Sequence, residues 1–226
     1  MWLHEHPYEP FIPRHATKLI VGTLPPPRFS FGQLLETDVD FPYGSAKGML
    51  WKILDHIFDL HLSFQNNLKA IEQRRIFLEK NAIGICDIVE SCHRKKIDAS
   101  DLGMQSVNLR DLLHYLEKYA KVDTLIFMGG NSKNGPEYFF RKILSAEKIK
   151  LQLIDEDLPR KHSFIYQNKK YFTYSLTAPS GSANRAIGSL NSYKTKKKAD
   201  PKYTTFDFRI EQYSKVFKSK SVESKL

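Results

Sequence analysis

The chain has 226 residues, 41% hydrophobic and 12% aromatic, with 35 Lys and Arg against 25 Asp and Glu and a formal net charge of +10. That length and composition exclude a fibrous or disordered chain and favour a single core with edge elaborations. No window approaches the apolar length of a membrane span, and the opening MWLHEHPYEP lacks both the basic and the apolar part of a signal peptide, so a cytoplasmic protein without membrane contact is expected.

In chain order, KLIVGTLPPP (18–27) is a β-branched run closed by Gly and three prolines, which predicts a buried strand followed by a rigid loop. Apolar residues at 49, 50, 53, 54, 57, 58 and 60 recur at helical spacing and predict a core-facing helix over 46–60. LKAIEQRRIFLEKN (68–81) predicts a second helix, leading into the strand-like AIGICDIVE (82–90). After an extended loop, NLRDLLHYLEKYA (108–120) predicts a third helix with Leu109, Leu112, Leu113, Leu116 and Tyr119 in its stripe. VDTLIFMGGN (122–131) repeats the pattern of an apolar run closed by glycine. PEYFFRKILSAEK (136–148) places Pro at the favoured first helical position and predicts a fourth helix. IKLQLI and KKYFTYSLTAPS add strands, and NRAIGSLNSYK (184–194) starts a further helix.

Apolar strands alternating with helices predict an α/β fold with a mainly parallel sheet, whose ligands bind outside the carboxyl ends of the strands. GTLPPP, CDIVESCH, GGNSKNG and TAPSGSANR all fall at such ends, so four loops should converge on one cleft. Cys86 and Cys92 fit a reducing compartment, and no second Cys or His pair at a short fixed offset suggests a zinc site. The P-loop signature and the GxGxxG spacing are both missing, as is a Ser-centred nucleophile elbow. What remains is a cleft of backbone N–H groups, prolines, aromatics and amides, suited to a planar ligand that forms hydrogen bonds. From Tyr193 onward ten Lys and Arg face four Asp and Glu, interleaved with Tyr193, Tyr203, Phe206, Phe208 and Tyr213. This stretch suits a polyanion, and equally a solvated lysine-rich tail.

GTLPP after the first strand, FPYGSAKGMLWKIL, GICDIVESCHRKKIDASDL with VNLRDLL, and LTAPSGSANRA resemble, in order over residues 18–190, the motifs of the uracil-DNA glycosylase superfamily. The hypoxanthine-DNA glycosylase branch is most similar, the mismatch-specific uracil glycosylases more distant. The resemblance implies a three-layer α/β/α sandwich around a mainly parallel sheet of about four strands. Residues 1–192 would form the glycosylase-like domain, and 193–226 a basic extension, partly helical and packed on it. It further implies a monomer without cofactor or metal that binds DNA carrying a deaminated base, flips out the nucleotide and hydrolyses its N-glycosidic bond in base excision repair.

Residue by residue, the resemblance assigns base binding to Gly22, Thr23, Leu24 and Pro25, to Phe41 or Tyr43 as the stacking ring, and to Gly48. Core packing is the alternative for the two rings. Asn108 would bond the base or the attacking water, or else serve as a helix N-cap. Pro179, Ser180, Gly181, Ser182, Asn184, Arg185 and Lys47 would contact DNA, because small residues let the backbone approach it closely. Two departures stand out. Leu24 replaces the carboxylate or amide of many relatives, and Gly48 stands where the hypoxanthine branch has Asn. Asp87 is the candidate catalytic replacement, with Glu90 and His93 behind it; loop stabilisation is the alternative for Asp87, and a phosphate contact or plain solvent exposure is favoured over catalysis for His93. A DNA-binding relative without hydrolysis is the rival reading.

Overall fold

The computed structural model of the chain describes residues 1–219. Its strands are β1 (Trp2–Glu5), β2 (Lys18–Val21), β3 (Ile83–Ile85), β4 (Val89–Arg94), β5 (Gln105–Leu109), β6 (Thr124–Phe127), β7 (Gln152–Asp155), β8 (Arg160–Tyr166) and β9 (Lys169–Ser175). The helices are α1 (Pro27–Ser30), α2 (Leu50–Phe58), α3 (Leu68–Lys80), α4 (Leu112–Lys118), α5 (Pro136–Ala146), α6 (Asn184–Ser189), α7 (Asn191–Ala199) and α8 (Thr205–Phe217). Among the described residues no helix is long and apolar enough to cross a membrane.

The central sheet runs β3-β2-β6-β9-β8-β7. Its first four strands are parallel, and the antiparallel β8 and β7 widen it to six. The two extra strands exceed the expected four because Gln167 and Asn168, both at positive φ, turn β8 directly back into β9 as a two-residue hairpin. Successive strand residues point to opposite faces. Ile20 and Ile126 join the apolar cluster that holds α2, α3 and α8, whereas Leu19, Val21, Leu125 and Phe127 join the cluster that holds α4 and α5. The result is the expected three-layer α/β/α arrangement.

The run 82–90 does not make one strand. It leaves the main sheet after Ile85 and re-enters as β4 in a separate antiparallel sheet of order β1-β4-β5. The third helix begins at Leu112 rather than at residue 108, because the Asp111 side chain accepts the His114 N–H at 3.0 Å and 105–109 pair with β4 as a strand. The helix expected over 184–194 breaks at the extended Leu190. In the C-terminal extension, α8 opens with a reciprocal cap between Thr204 and Asp207 and buries Phe208, Tyr213 and Phe217, so these rings face the core and not solvent. Residues 220–226 of that extension lie outside the described residues.

Candidate active site and nucleic-acid interface

The carboxyl ends of β2, β3, β6 and β9 lie side by side, and each feeds one of the four loops marked in the sequence. At their centre Asp87, 6% exposed, follows β3. One of its carboxylate oxygens accepts the Gly22 N–H at 2.7 Å and the Tyr43 hydroxyl at 2.8 Å, and the other lies 3.0 Å from His6 Nε2. Asp87 therefore ties the β2 loop, the aromatic loop and the N-terminal segment together. Burial, and next the Asp87 charge, push the Tyr43 hydroxyl well above the ordinary phenol range, so it stays a donor at neutral pH.

The aromatic loop is shaped from within by Asp38, which is fully buried. Its carboxylate accepts Arg28 Nε and Nη2, both at 2.7 Å, the Ala46 N–H at 2.8 Å and the Leu35 N–H at 2.9 Å. Phe41 packs between Phe11 and Trp51 at 5% exposure, so it belongs to the core rather than to the loop surface. Tyr43, at φ 60°, is the ring that reaches Asp87. Gly48 lies tight against backbone, and a Cβ there would meet the Ser45 carbonyl oxygen at 3.0 Å. Lys47 beside it is exposed.

After β2, the Thr23 hydroxyl donates to Asp101 Oδ1 at 2.7 Å, Leu24 packs on the α4–α5 apolar cluster, and Pro25 is half-buried. Asp101 was not singled out in the sequence. It opens a short 3-10 turn, Asp101–Gly103, whose carbonyl accepts Asn134 Nδ2 at 2.9 Å from the β6 loop. Its second carboxylate oxygen accepts no hydrogen bond among the described residues and is not sealed from solvent. Burial raises the Asp101 carboxyl above its usual value, with Asp87 adding to the rise and Thr23 and Arg94 opposing it. His6 and Asp101 are the two site residues that sequence reasoning missed. Neither lies at a predicted strand end, and the only available signal was the pair of acids in DASDL.

Asn108 is placed elsewhere. It stands exposed on β5, donating to Glu90 on β4 at 2.6 Å, and it neither caps a helix nor bonds to the Asp87 cluster. Glu90 and His93 lie on the same small sheet.

The β9 loop returns to the aromatic loop through the Met49 N–H, which donates to the Pro179 carbonyl at 2.9 Å. Pro179 is buried, Ser180 and Asn184 are half-buried, and Gly181, Ser182 and Arg185 are exposed. Helix α8 grips this loop from below. Tyr213 donates to the Thr177 carbonyl at 2.9 Å, Gln212 Oε1 accepts from Thr177, and Arg209 reaches Ala178, Ser180 and Asn184. Helix α7, which follows, adds the exposed Lys194, Lys196, Lys197 and Lys198. A separate groove of about 730 Å³ touches the site loop at Phe41 and Pro42. Its rim sets Glu9, Asp40 and Glu72 against one cation, Arg75, a net negative lining that suits a DNA backbone poorly.

No family model matches the chain, and no curated protein matches it. Among solved structures it is similar to the solution NMR structure of a Methanosarcina acetivorans protein provisionally described as a uracil DNA glycosylase. The identity is 16%, the TM-score is 0.52, and the match covers 93% of this chain and 99% of that one. At this identity the likeness establishes a shared fold.

Proposed function

We propose that this protein is a monofunctional DNA glycosylase of the uracil-DNA glycosylase superfamily that hydrolyses the N-glycosidic bond of a deaminated base, uracil or hypoxanthine, without metal or cofactor. The observation that carries this reading is that two carboxylates are held by consecutive residues of the β2 loop at the carboxyl edge of the parallel sheet, Asp87 by the Gly22 amide and the Tyr43 hydroxyl and Asp101 by Thr23, in a fold shared along its length with the M. acetivorans protein. The resemblance of the ordered motifs to the hypoxanthine branch supports the choice of base. A DNA partner is supported by the exposed Lys47, Gly181, Ser182 and Arg185, together with the lysines of α7.

In this reading Asp87 organises and Asp101 reacts. Asp87 has its oxygens occupied by Gly22, Tyr43 and His6, so it fixes the floor on which the flipped base sits. Asp101 is anchored through one oxygen and open at the other, the arrangement a water-orienting base requires. As the C1′–N bond lengthens, its electron pair leaves with the base and the sugar becomes cation-like. Water adds at C1′ and its proton passes to Asp101. This carboxylate would supply what Leu24 and Gly48 do not.

Single-turnover excision on matched oligonucleotides carrying uracil, hypoxanthine, xanthine or no lesion tests the reading, with Asp101→Asn and Asn108→Ala in parallel. Excision of one lesion, sharply reduced in Asp101→Asn and little changed in Asn108→Ala, is expected. No excision at enzyme excess, with salt-sensitive DNA binding retained, would leave a binding relative of the same fold.

A further inference from the structure

Arg209 on α8 is fully buried, and among the described residues no ion pair joins it to a carboxylate. Its guanidinium donates instead to the Ala178 carbonyl at 3.1 Å, the Ser180 carbonyl at 2.8 Å and Asn184 Oδ1 at 2.8 Å. A fourth bond, at 3.2 Å, goes to Thr205 in its own helix. A buried cation is costly unless its N–H groups are bonded, and here two of the four acceptors are carbonyls of the β9 loop and a third is Asn184, the first residue of α6 into which that loop runs. The planar fork thus fixes the path of that loop.

The orientation of the loop amides follows from peptide geometry. A trans peptide sets each C=O antiparallel to the next residue's N–H. With the Ser180 carbonyl turned inward to Arg209, the Gly181 N–H faces away from α8. With the Pro179 carbonyl held by Met49, the Ser180 N–H faces away from the aromatic loop. The inward Ala178 carbonyl strands no donor, because Pro179 has no N–H. The N–H groups of Ser180, Gly181 and Ser182 have no acceptor among the described residues.

We infer that Arg209 is a positioning residue for DNA binding: it draws the carbonyls of the β9 loop inward so that the amides of residues 180–182 face a backbone phosphate, and it sets a fixed positive charge behind them. The inference rests on the glycosylase reading and adds to it a role for the C-terminal extension. Within α8 the extension acts from beneath the interface, through one buried guanidinium, rather than as a basic tail laid on the DNA.

The test uses the full-length protein and a labelled undamaged duplex, followed by fluorescence anisotropy over a range of NaCl concentrations and by amide NMR. In the wild type, duplex should shift the Gly181 and Ser182 amides. Arg209→Met should weaken binding about tenfold, lower the slope of log K against log salt by about 1, and abolish those shifts. Arg209→Lys, which keeps the charge without the fork, should recover the slope more than the affinity. In both variants the saturated single-turnover rate should fall less than the affinity. Wild-type affinity and slope in Arg209→Met, with both amides still responding, would overturn the inference. Should that variant not fold, Asn184→Ala, which removes the Arg209 acceptor at the start of α6 and leaves α8 intact, decides by the amide readout of the ligand-free protein: displaced Ser180, Gly181 and Ser182 resonances support the inference, and unchanged ones overturn it. A wild-type protein that binds no duplex counts against the glycosylase reading instead. The inference is then judged on the ligand-free protein, where Arg209→Lys must displace the amide resonances of 178–184, and an unchanged spectrum overturns it.

Discussion

Gly22 shows how space and charge set a single residue in the site. A Cβ there would lie 2.0 Å from the Tyr43 hydroxyl and 2.9 Å from Asp87 Oδ1, while its N–H supplies one of the bonds to Asp87. Gly22→Ala must therefore displace Tyr43 or break the carboxylate network. It should cost about 1–3 kcal/mol of stability, read as a thermal midpoint several degrees lower, together with loss of excision. Asp101 gives a sharper test, because its open oxygen must be deprotonated to take a proton from water. With its carboxyl raised by burial, the acid limb of single-turnover excision should lie above the usual carboxylate range. Asp101→Asn should remove that limb and lower the rate by about 10²–10⁴-fold. A limb that persists in the variant assigns the proton transfer to another group.

Helix α8 is held at both ends by different chemistry. Thr204 and Asp207 cap its start. Beneath its end, the buried Lys18 Nζ donates to the Val216 carbonyl at 2.9 Å and the Ser219 carbonyl at 2.6 Å. A lysine at a helix C-terminus satisfies orphan carbonyls and complements the helix dipole. Lys18→Met, which keeps the stem and deletes the donor, should cost about 1–3 kcal/mol and increase hydrogen exchange in the last turn of α8 more than in α2. Uniform exchange changes across both helices would show that Lys18 acts through the sheet instead. The same element marks the limit of sequence legibility. Strand ends near Gly22, Gly129 and Thr177 follow from apolar runs closed by small residues, so those loops could be located in advance, whereas the exit at Asp87 lies inside an apolar run that reads as one strand over 82–90. The basic composition around α8 concealed a buried Arg209 and a core Tyr213. Asn108 reads as the start of a helix because QSVNL has too little apolar alternation to signal a strand, and its strand form depends on antiparallel pairing with β4 across the connection 95–104. Asp101 was invisible for the related reason that its Thr23 partner is brought to it only by the fold.

At the scale of the whole molecule, buried charge predicts how stability depends on pH. His4 is buried in the small sheet, where it accepts a hydrogen bond from Arg94 Nε at 2.8 Å. Burial first, and then the Arg94 charge, lower its pKa from 6.5 to about 4. Between those values the unfolded chain binds a proton that the folded protein refuses, so stability should decline as pH falls from 6.5 to about 4. Asp38 and Glu137 then add a second loss. Burial works to raise both carboxyls, but Arg28 with the Ala46 and Leu35 amides outweighs it for Asp38, and Ser175, Arg160 and Arg141 outweigh it for Glu137. Both end below their usual values. Their contribution is complete above the unfolded carboxylate range and disappears as pH falls through the folded values. Urea midpoints measured from pH 8 downward should therefore fall in two stages. His4→Gln should lessen the upper stage, leaving the part owed to the buried His162, whose pKa burial also lowers, and Glu137→Gln should lessen the lower one at a cost in stability at neutral pH. A His4→Gln protein with an unchanged upper stage would move that proton uptake to another histidine and detach the small sheet from the acid response.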